Sequence, residues 1–399
     1  MEPFVVAALV VELAAAFFLL WREKLLNSPK NLIISLLLLL LAMLLRASMF
    51  DFESGDYTSF LAPWTEFFRE HGFAGLGMEL GNYNPPYMYL LWLFSLIGVS
   101  ELYLIKLCSV LFDILLAWAC MKLLSLCTES RWKLLLCFFA VLLFPTFIIN
   151  SGKWAQCDSI YSFFGIFAVY LALTDRPWLS MASMAASLAF KLQAVFIMPV
   201  FAVLLFAKKL KLRHFLAFPA AYIIYMLPAV IAGRPFAEVM TLYFSQAGTV
   251  GDALCYNSPS FASALSYVSD PAAFSRLLIA AAFVFMLLVL ACAFVRREGA
   301  DAALIIGFTA LLVLGIPYFL PHMHDRYFYA AGAVLIVLAC SDLRFFPAPL
   351  LAELASLHCY LAYFSRRYIV HPRWGGLAML AALLIVFIYT ATRKDSPEN

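Results

Sequence analysis

The sequence predicts an all-α polytopic membrane protein, on the strength of its scarce charge, its many apolar runs of spanning length and its lack of any soluble-domain signature. Of 399 residues, 65% are hydrophobic and only 13% are charged. A soluble domain carries roughly 25% charged and 45–50% apolar residues, so this chain has too little polar surface to stay in water. Disordered chains, disulfide scaffolds and free soluble enzymes are excluded on the same ground. A nucleic-acid partner is excluded as well: the net charge is only +3, and the one dense basic run, 208–213, sits between apolar stretches.

A hydrocarbon core about 30 Å thick needs roughly 20 apolar residues per helix, fewer where a helix is buried among others. The runs 3–20, 32–49, 102–124, 134–150, 159–173, 194–207, 215–231, 277–295, 302–318, 328–341, 348–364 and 375–391 meet or approach that length. The first has no cationic segment before it and no small-residue cleavage site after it, so it is expected to be a retained span and not a signal peptide. Two further runs, 86–98 and 179–190, are short, and they decide which loops share a side.

Loop 21–31 carries Arg22, Lys24 and Lys30, whereas 50–86 carries six acids against one base, which places the first in the cytoplasm and the second outside. With 86–98 re-entrant or interfacial and 179–190 a short span, sixteen of the 27 Lys and Arg fall inside and ten outside, with Lys106 within a span. Were 86–98 to cross, the basic 208–213 loop would face outward. The expectation is one domain over 1–399 with about 13 spans, in a range of 11–14, the N-terminus outside and the C-terminus inside. Two external loops are long, 50–86 and 232–275, and long ordered loops usually have a task. The nine cysteines form no CxxC pair and read as small buried residues.

Ionisable and amide side chains near lipid are costly, which makes them the informative positions. Four clusters stand out, all on the external side of this topology. The first is 55–64, with Asp56, Tyr57 and Trp64 just after the second span; a solvated acidic loop is the plain alternative. The second is Gly81-Asn82-Tyr83-Asn84-Pro85-Pro86-Tyr87, where the paired prolines hold Asn84 extended and start a helix. The third, 152–158, puts Lys153, Trp154, Gln156 and Asp158 on one short turn, where a Lys153–Asp158 ion pair and an interfacial Trp154 are the structural reading. The fourth joins Lys191 and Gln193, which interrupt a long apolar stretch, to the run His322-Met323-His324-Asp325-Arg326-Tyr327. A snorkelling Lys191 is the plain alternative there. The two histidines lack a further His or Cys cluster, so no metal site is expected.

Together these residues describe an external pocket with acids (Asp56, Asp158), cations (Lys153, Lys191, Arg326, with His322 and His324) and aromatic rings (Tyr57, Trp64, Tyr83, Trp154). A carboxylate suits a general base, a guanidinium and an ammonium suit a phosphate, and the rings suit the face of a sugar.

The combination DYTSFLAPW, NYNPPYMYLL, KWAQCDSIY, FKLQAVFIMP, NSPS and HDRYFY, in that order over about 46–330, resembles the bacterial membrane mannosyltransferase-like proteins related to the fungal GPI-anchor second mannosyltransferase, of the GT-C superfamily. The resemblance implies a GT-C-like bundle whose first large external loop carries interfacial helices, here 60–71 and 86–98. It implies a glycosyltransferase that moves a hexose from a polyprenyl-phosphate donor to a glycan, lipid or protein acceptor outside the cytoplasmic membrane, with no cofactor. It also implies inverting transfer with Asp56 as base. Arg326, Lys191 and a histidine would then stabilise the departing lipid phosphate, and Asp158 and Gln156 would hold sugar hydroxyls; Asp158 is the alternative base. Three arginines, Arg366, Arg367 and Arg373, break the charge bias, and a lipid headgroup contact is their only assignment. Two other classes fit many spans and a charged cavity: a transporter or flippase of a lipid-linked saccharide, which would be expected to carry inverted repeats, and a glycan polymerase or ligase.

Overall fold

In lipid every backbone N–H and C=O must be paired within its own segment, so long apolar runs become helices. The computed structural model describes residues 2–246, 251, 253–265 and 268–393, and parts of the long 232–275 loop and of the C-terminal tail lie outside them. In chain order the helices are α1 (Pro3–Arg22), α2 (Pro29–Ala47), α3 (Ala62–His71), α4 (Pro85–Ser95), α5 (Glu101–Leu124), α6 (Arg131–Leu143), α7 (Pro145–Ile148), α8 (Asp158–Leu173) and α9 (Pro177–Phe190). There follow α10 (Val200–Phe206), α11 (Ala217–Ile231), α12 (Phe236–Gln246), α13 (Pro271–Val295), α14 (Ala302–Phe319), α15 (Tyr329–Ser341), α16 (Pro347–Ser365) and α17 (Arg373–Thr392). The only sheet among the described residues is a two-residue parallel pair, β1 (Cys255–Tyr256) with β2 (Met323–His324).

The protein is an all-α multi-pass membrane protein. Among the described residues eight helices are long and apolar enough to cross: α1, α2, α5, α13, α14, α17, and α11 and α16 with the 3-10 turns that lead into them. A ninth results if α6 and the segment Pro145–Trp154, bent by 49° at Pro145, form one span. All thirteen runs expected to cross are helical, but α8, α9, α10 and α15 are short, with 16, 14, 7 and 13 residues. α8 and α15 are mostly buried, as short helices screened from lipid by longer ones must be.

Local signals set the helix starts. Proline opens α1, α2, α4, α9, α13 and α16 in the first turn, where its missing N–H costs nothing. Asp270 and Asp301 cap α13 and α14 by accepting from Ala273 N–H at 2.9 Å and Leu304 N–H at 2.8 Å.

The short run 86–98 corresponds to α4, whose 11 residues rise only about 16 Å at 1.5 Å each, half the hydrocarbon thickness. The ends it connects lie together. Tyr103 Oη donates to Asp51 at 2.8 Å, and Lys106 Nζ donates to the carbonyls of Met49, Phe50 and Phe52 at 3.0, 2.8 and 2.7 Å. The end of α2 and the start of α5 therefore share one end of the bundle, and α4 lies between them without crossing. The opposite end is tied by Lys122 to Glu23 at 2.9 Å, Lys133 to the Ser341 carbonyl at 3.1 Å and Arg393 to Asp301 at 2.6 Å. All nine cysteines are free.

Within the core a buried ion pair joins α2 to α5. Arg46 Nη2 lies 2.8 Å from Asp113 Oδ2, and the same guanidinium donates to Ser151 Oγ and to the carbonyls of Leu142 and Ala42. Tyr329 Oη donates to the other oxygen of Asp113 at 2.9 Å, so both partners are satisfied. Arg46 is thus a core residue.

Candidate functional site

A cavity of about 750 Å³ opens at the end of the bundle that holds the start of α5, a volume within the roughly 300–1,000 Å³ usual for small-molecule sites. Its walls come from the α2–α3 segment, the 82–87 turn, the α7–α8 turn, the α9–α10 turn, the β1 and β2 strands, and the C-terminal end of α16. These segments are far apart in sequence, and the helices that end at this face bring them together.

Asp56 is the best-connected group on the wall. Its Oδ2 accepts from Gln156 Nε2 at 2.7 Å and Trp154 Nε1 at 3.1 Å, with Arg326 Nη1 at 3.2 Å; its Oδ1 accepts from Tyr363 Oη at 3.0 Å. Local geometry makes this possible. Ala155 takes a left-handed conformation, φ 61°, that ends the helical turn Ile149–Trp154 and aims both Trp154 and Gln156 at the carboxylate. Ser54 Oγ donates to the Trp154 carbonyl at 2.7 Å and accepts from Tyr57 N–H, locking the two segments together.

Arg326 stands between Asp56 and the Trp154 ring, with its guanidinium carbon 4.8 Å from the ring centroid. Its Nε and Nη1 are shielded from solvent yet have no hydrogen-bond acceptor, because the approaches to Asp56 and Asp325 are close but misaligned. The amide oxygens of Gln193 and Asn257 and the Tyr243 hydroxyl, also on the wall, are likewise shielded and unpartnered. Such atoms are costly to bury and mark where a polar ligand would sit.

Lys191 reaches the cavity from the α9–α10 break and forms a buried ion pair with Asp158 Oδ1, while Asp158 Oδ2 accepts from Asn150 Nδ2 at 2.8 Å. Burial disfavours the ammonium, but the Asp158 carboxylate outweighs it and holds the Lys191 pKa above its ordinary value. Burial pushes the Asp325 carboxyl up to about 6 against the pull of Arg326, and burial together with Arg326 pushes His324 down to about 4. His324 is therefore neutral near pH 7, stacked on Tyr256 with ring centroids 4.9 Å apart, and is not one of the cationic groups. A third wall is aromatic: Phe60, Trp64, Tyr83 and Tyr87 follow one another at 5.8, 5.8 and 4.9 Å.

Of the residues singled out from sequence, the structure gathers Asp56, Trp64, Tyr83, Trp154, Gln156 and Lys191 on the cavity wall, together with Gln193, His324, Asp325, Arg326 and Tyr327. Five others lie off it. Tyr57 is buried and donates to Glu101 at 3.1 Å. Asn84 is buried at the start of α4 and donates to Tyr222 at 2.7 Å. Lys153 does not pair with Asp158; its ammonium sits between the Phe52 and Phe364 rings at 4.7 and 4.5 Å. Asp158 lies beneath the wall, with Oδ1 paired to Lys191 and Oδ2 accepting from Asn150. His322 turns away to the Ala253 carbonyl at 2.7 Å and Ser275 at 3.0 Å.

The sequence reading did not find Tyr243, Tyr256 and Tyr363, and it quoted Asn257 only as part of NSPS. Arg366, Arg367 and Tyr368 also line the cavity, and for the arginines the broken charge bias was the available signal. Among the described residues no three His, Cys, Asp or Glu side chains are grouped to hold a metal ion. No protein family model matches the chain, and no curated protein matches it.

Proposed function

We propose that this protein is a GT-C-type membrane glycosyltransferase that passes a hexose, mannose or a similar sugar, from a polyprenyl-phosphate donor to a glycan, lipid or protein acceptor. The observation that carries the reading is Arg326: a guanidinium ion-paired with Asp56 whose shielded Nε and Nη1 lack an aligned hydrogen-bond acceptor, inside a cavity at the end of a membrane bundle. Unsatisfied guanidinium N–H groups suit phosphate oxygens, and Lys191 supplies a second fixed cation on the same wall. The unpartnered Gln193 and Asn257 oxygens accept from sugar hydroxyls, and Trp64 and Tyr83 offer ring faces to a pyranose.

In the inverting step the acceptor oxygen bonds to the anomeric carbon as the bond from that carbon to the phosphate oxygen breaks. The hydroxyl proton passes to Asp56, and the lipid phosphate departs toward Arg326 and Lys191, already oriented before the charge develops. Oδ1 is the accepting atom: Oδ2 is held by Gln156, Trp154 and Arg326, whereas Oδ1 takes only the Tyr363 hydroxyl. Asp325 is the second carboxyl on the wall. The filled core beneath, with the Arg46–Asp113 pair, favours chemistry at this face over passage of a lipid-linked saccharide through the bundle. The charge bias of the loops favours an extracytoplasmic cavity, and the resemblance suggests that the membrane is a bacterial cytoplasmic one.

The test offers radiolabelled polyprenyl-phosphate mannose or glucose, with lipid, glycan and peptide acceptors, to the purified full chain. Wild type is expected to transfer label and Asp56→Asn to lose about 10²–10⁴-fold in rate. Undiminished transfer by a folded Asp56→Asn protein removes Asp56 as base, and no transfer by wild type from either donor sinks the reading. Sidedness is read by impermeant labelling of Glu53→Cys, an exposed position, which should react in intact cells.

A further inference from the structure

Between α16 and α17 the chain runs Ser365-Arg366-Arg367-Tyr368-Ile369-Val370-His371-Pro372-Arg373-Trp374, at the same end of the bundle as the cavity. Arg366, Arg367 and Tyr368 form part of the cavity wall. Arg326 and Lys191, deeper in, each face an acid, but Arg366, Arg367 and Arg373 have no carboxylate within ion-pair distance among the described residues. The side chains that follow them are largely apolar and unusually bare: Tyr368, Ile369, Val370 and Trp374 are 45, 69, 51 and 55% exposed. A helix C-terminus favours a cation, which accounts for Arg366 alone. It does not account for three arginines without a carboxylate partner among the described residues, set in one short segment with four exposed, largely apolar side chains. That combination has the chemistry of a segment lying in a headgroup layer, with arginines to phosphates and apolar side chains to acyl tails.

The backbone turns this segment across the mouth. Arg366 takes a left-handed conformation, φ 56°, three residues after Tyr363, whose hydroxyl holds Asp56. The guanidinium of Arg366 lies 5.5 Å from the Tyr363 ring, so the outer cation and the Asp56 constellation are one side chain apart.

We infer that residues 366–374 form a lateral port, where Arg366 and Arg367 take the phosphate headgroup of an isoprenoid lipid from the leaflet and admit it to the cavity. The occupant is a lipid phosphate and not a free one, because the exposed Ile369 and Val370 contribute only if a hydrocarbon chain accompanies the anion. The port rests on the glycosyltransferase reading for what happens to the lipid once inside, but not for its capture.

The probe is farnesyl phosphate, titrated into the purified full chain in detergent and followed by intrinsic tryptophan fluorescence, with inorganic phosphate and farnesol as separate arms. Each surface arginine is expected to contribute about fivefold to binding an anionic headgroup, so Arg366→Gln/Arg367→Gln should weaken farnesyl phosphate about 20–30-fold. Arg366→Lys/Arg367→Lys should retain most of the affinity, which separates charge from misfolding. Ile369→Ser/Val370→Ser should weaken farnesyl phosphate and leave inorganic phosphate unchanged. Wild-type affinity in the double glutamine variant, absence of farnesyl phosphate binding in wild type, or inorganic phosphate binding as tightly as farnesyl phosphate each overturns the port. Capture that depends on Arg366 and Arg367 without any sugar transfer leaves the port standing and removes the glycosyltransferase reading. Transfer that survives the double glutamine substitution undiminished at limiting donor does the reverse.

Discussion

Removing the charge of Asp158 tests whether the floor of the cavity is built as described. The Lys191 and Asp158 side chains are 7% and 2% exposed, and they form a direct ion pair. Taking one partner from a buried pair leaves the other ion without compensation, at a cost of about 3–5 kcal/mol, whereas removing both charges is often close to neutral. Asp158→Asn keeps an oxygen for the Asn150 amide, so the loss reports the charge rather than the neighbouring hydrogen bond. The single variant is expected to lose about 3–5 kcal/mol in an unfolding titration with sodium dodecyl sulfate in mixed micelles. Asp158→Asn/Lys191→Met should recover to within about 1 kcal/mol of wild type. The double variant should still fail to transfer sugar, because the Lys191 ammonium is the part of the pair that faces the cavity. A single variant within about 1 kcal/mol of wild type, or a double variant no more stable than the single one, would refute the buried-pair reasoning.

Other outcomes follow from the same geometry. Asp325 and His324 oppose each other in pH dependence. Between about pH 4 and 6 the folded chain keeps the Asp325 proton that the unfolded chain has lost, so this group's contribution to stability falls as pH rises. Over the same range His324 is neutral in the folded chain and charged in the unfolded one, so its contribution rises with pH. His324→Gln should therefore expose a fall of up to about 3 kcal/mol in unfolding free energy across that window, and Asp325→Asn should expose a rise; parallel curves for both variants would contradict the assignment. Gly81→Ala places a methyl 2.4 Å from the Trp64 ring at a left-handed φ of 62°, whereas Gly72→Ala, φ 58°, meets nothing within 4 Å. Gly72→Ala should cost the backbone strain alone, about 1–2 kcal/mol, and Gly81→Ala should cost more and shift the tryptophan fluorescence; equal losses would mean that the aromatic wall yields freely.

Some of this architecture was legible because lipid makes polarity expensive. Lys191 between two apolar runs, and the acids of 50–86 against the bases of 21–31, are local facts with a direct energetic meaning. The same charge bias favours a helix over 86–98 that does not cross, and α4 with its 11 residues is too short to do so. What the sequence left obscure depends on partners that only folding supplies. The sequence does not single out Arg46, and it is fully buried because Asp113, 67 positions on, sits on the facing helix. Lys153 reads as the partner of Asp158, five residues away, but the helical turn Ile149–Trp154 sends it outward between Phe52 and Phe364. Tyr363 carries no local mark at all. Its part in the site comes from α16 ending at the same face as α2, which places its hydroxyl on Asp56 across 307 positions of sequence.

That dispersal has a consequence for how the site and the fold depend on each other. Asp56 is held by side chains from three separate places: the α7–α8 turn, the turn before α15 and the end of α16. None of these is in place until α2, α5, α8, α15 and α16 have packed. The Arg46 network beneath reaches α2, α5, the Ile149–Trp154 turn and Tyr329 at the start of α15, so it fixes most of the same elements. Gly152 lets that turn approach closely, since a Cβ there would stand 3.1 Å from the Arg46 backbone. A change at Arg46 or Gly152, deeper in the bundle and off the cavity wall, therefore misplaces Trp154 and Gln156 together, and with them both donors to Asp56 Oδ2. Loss of activity at such positions reads out the geometry of the carboxylate, not contact with a substrate.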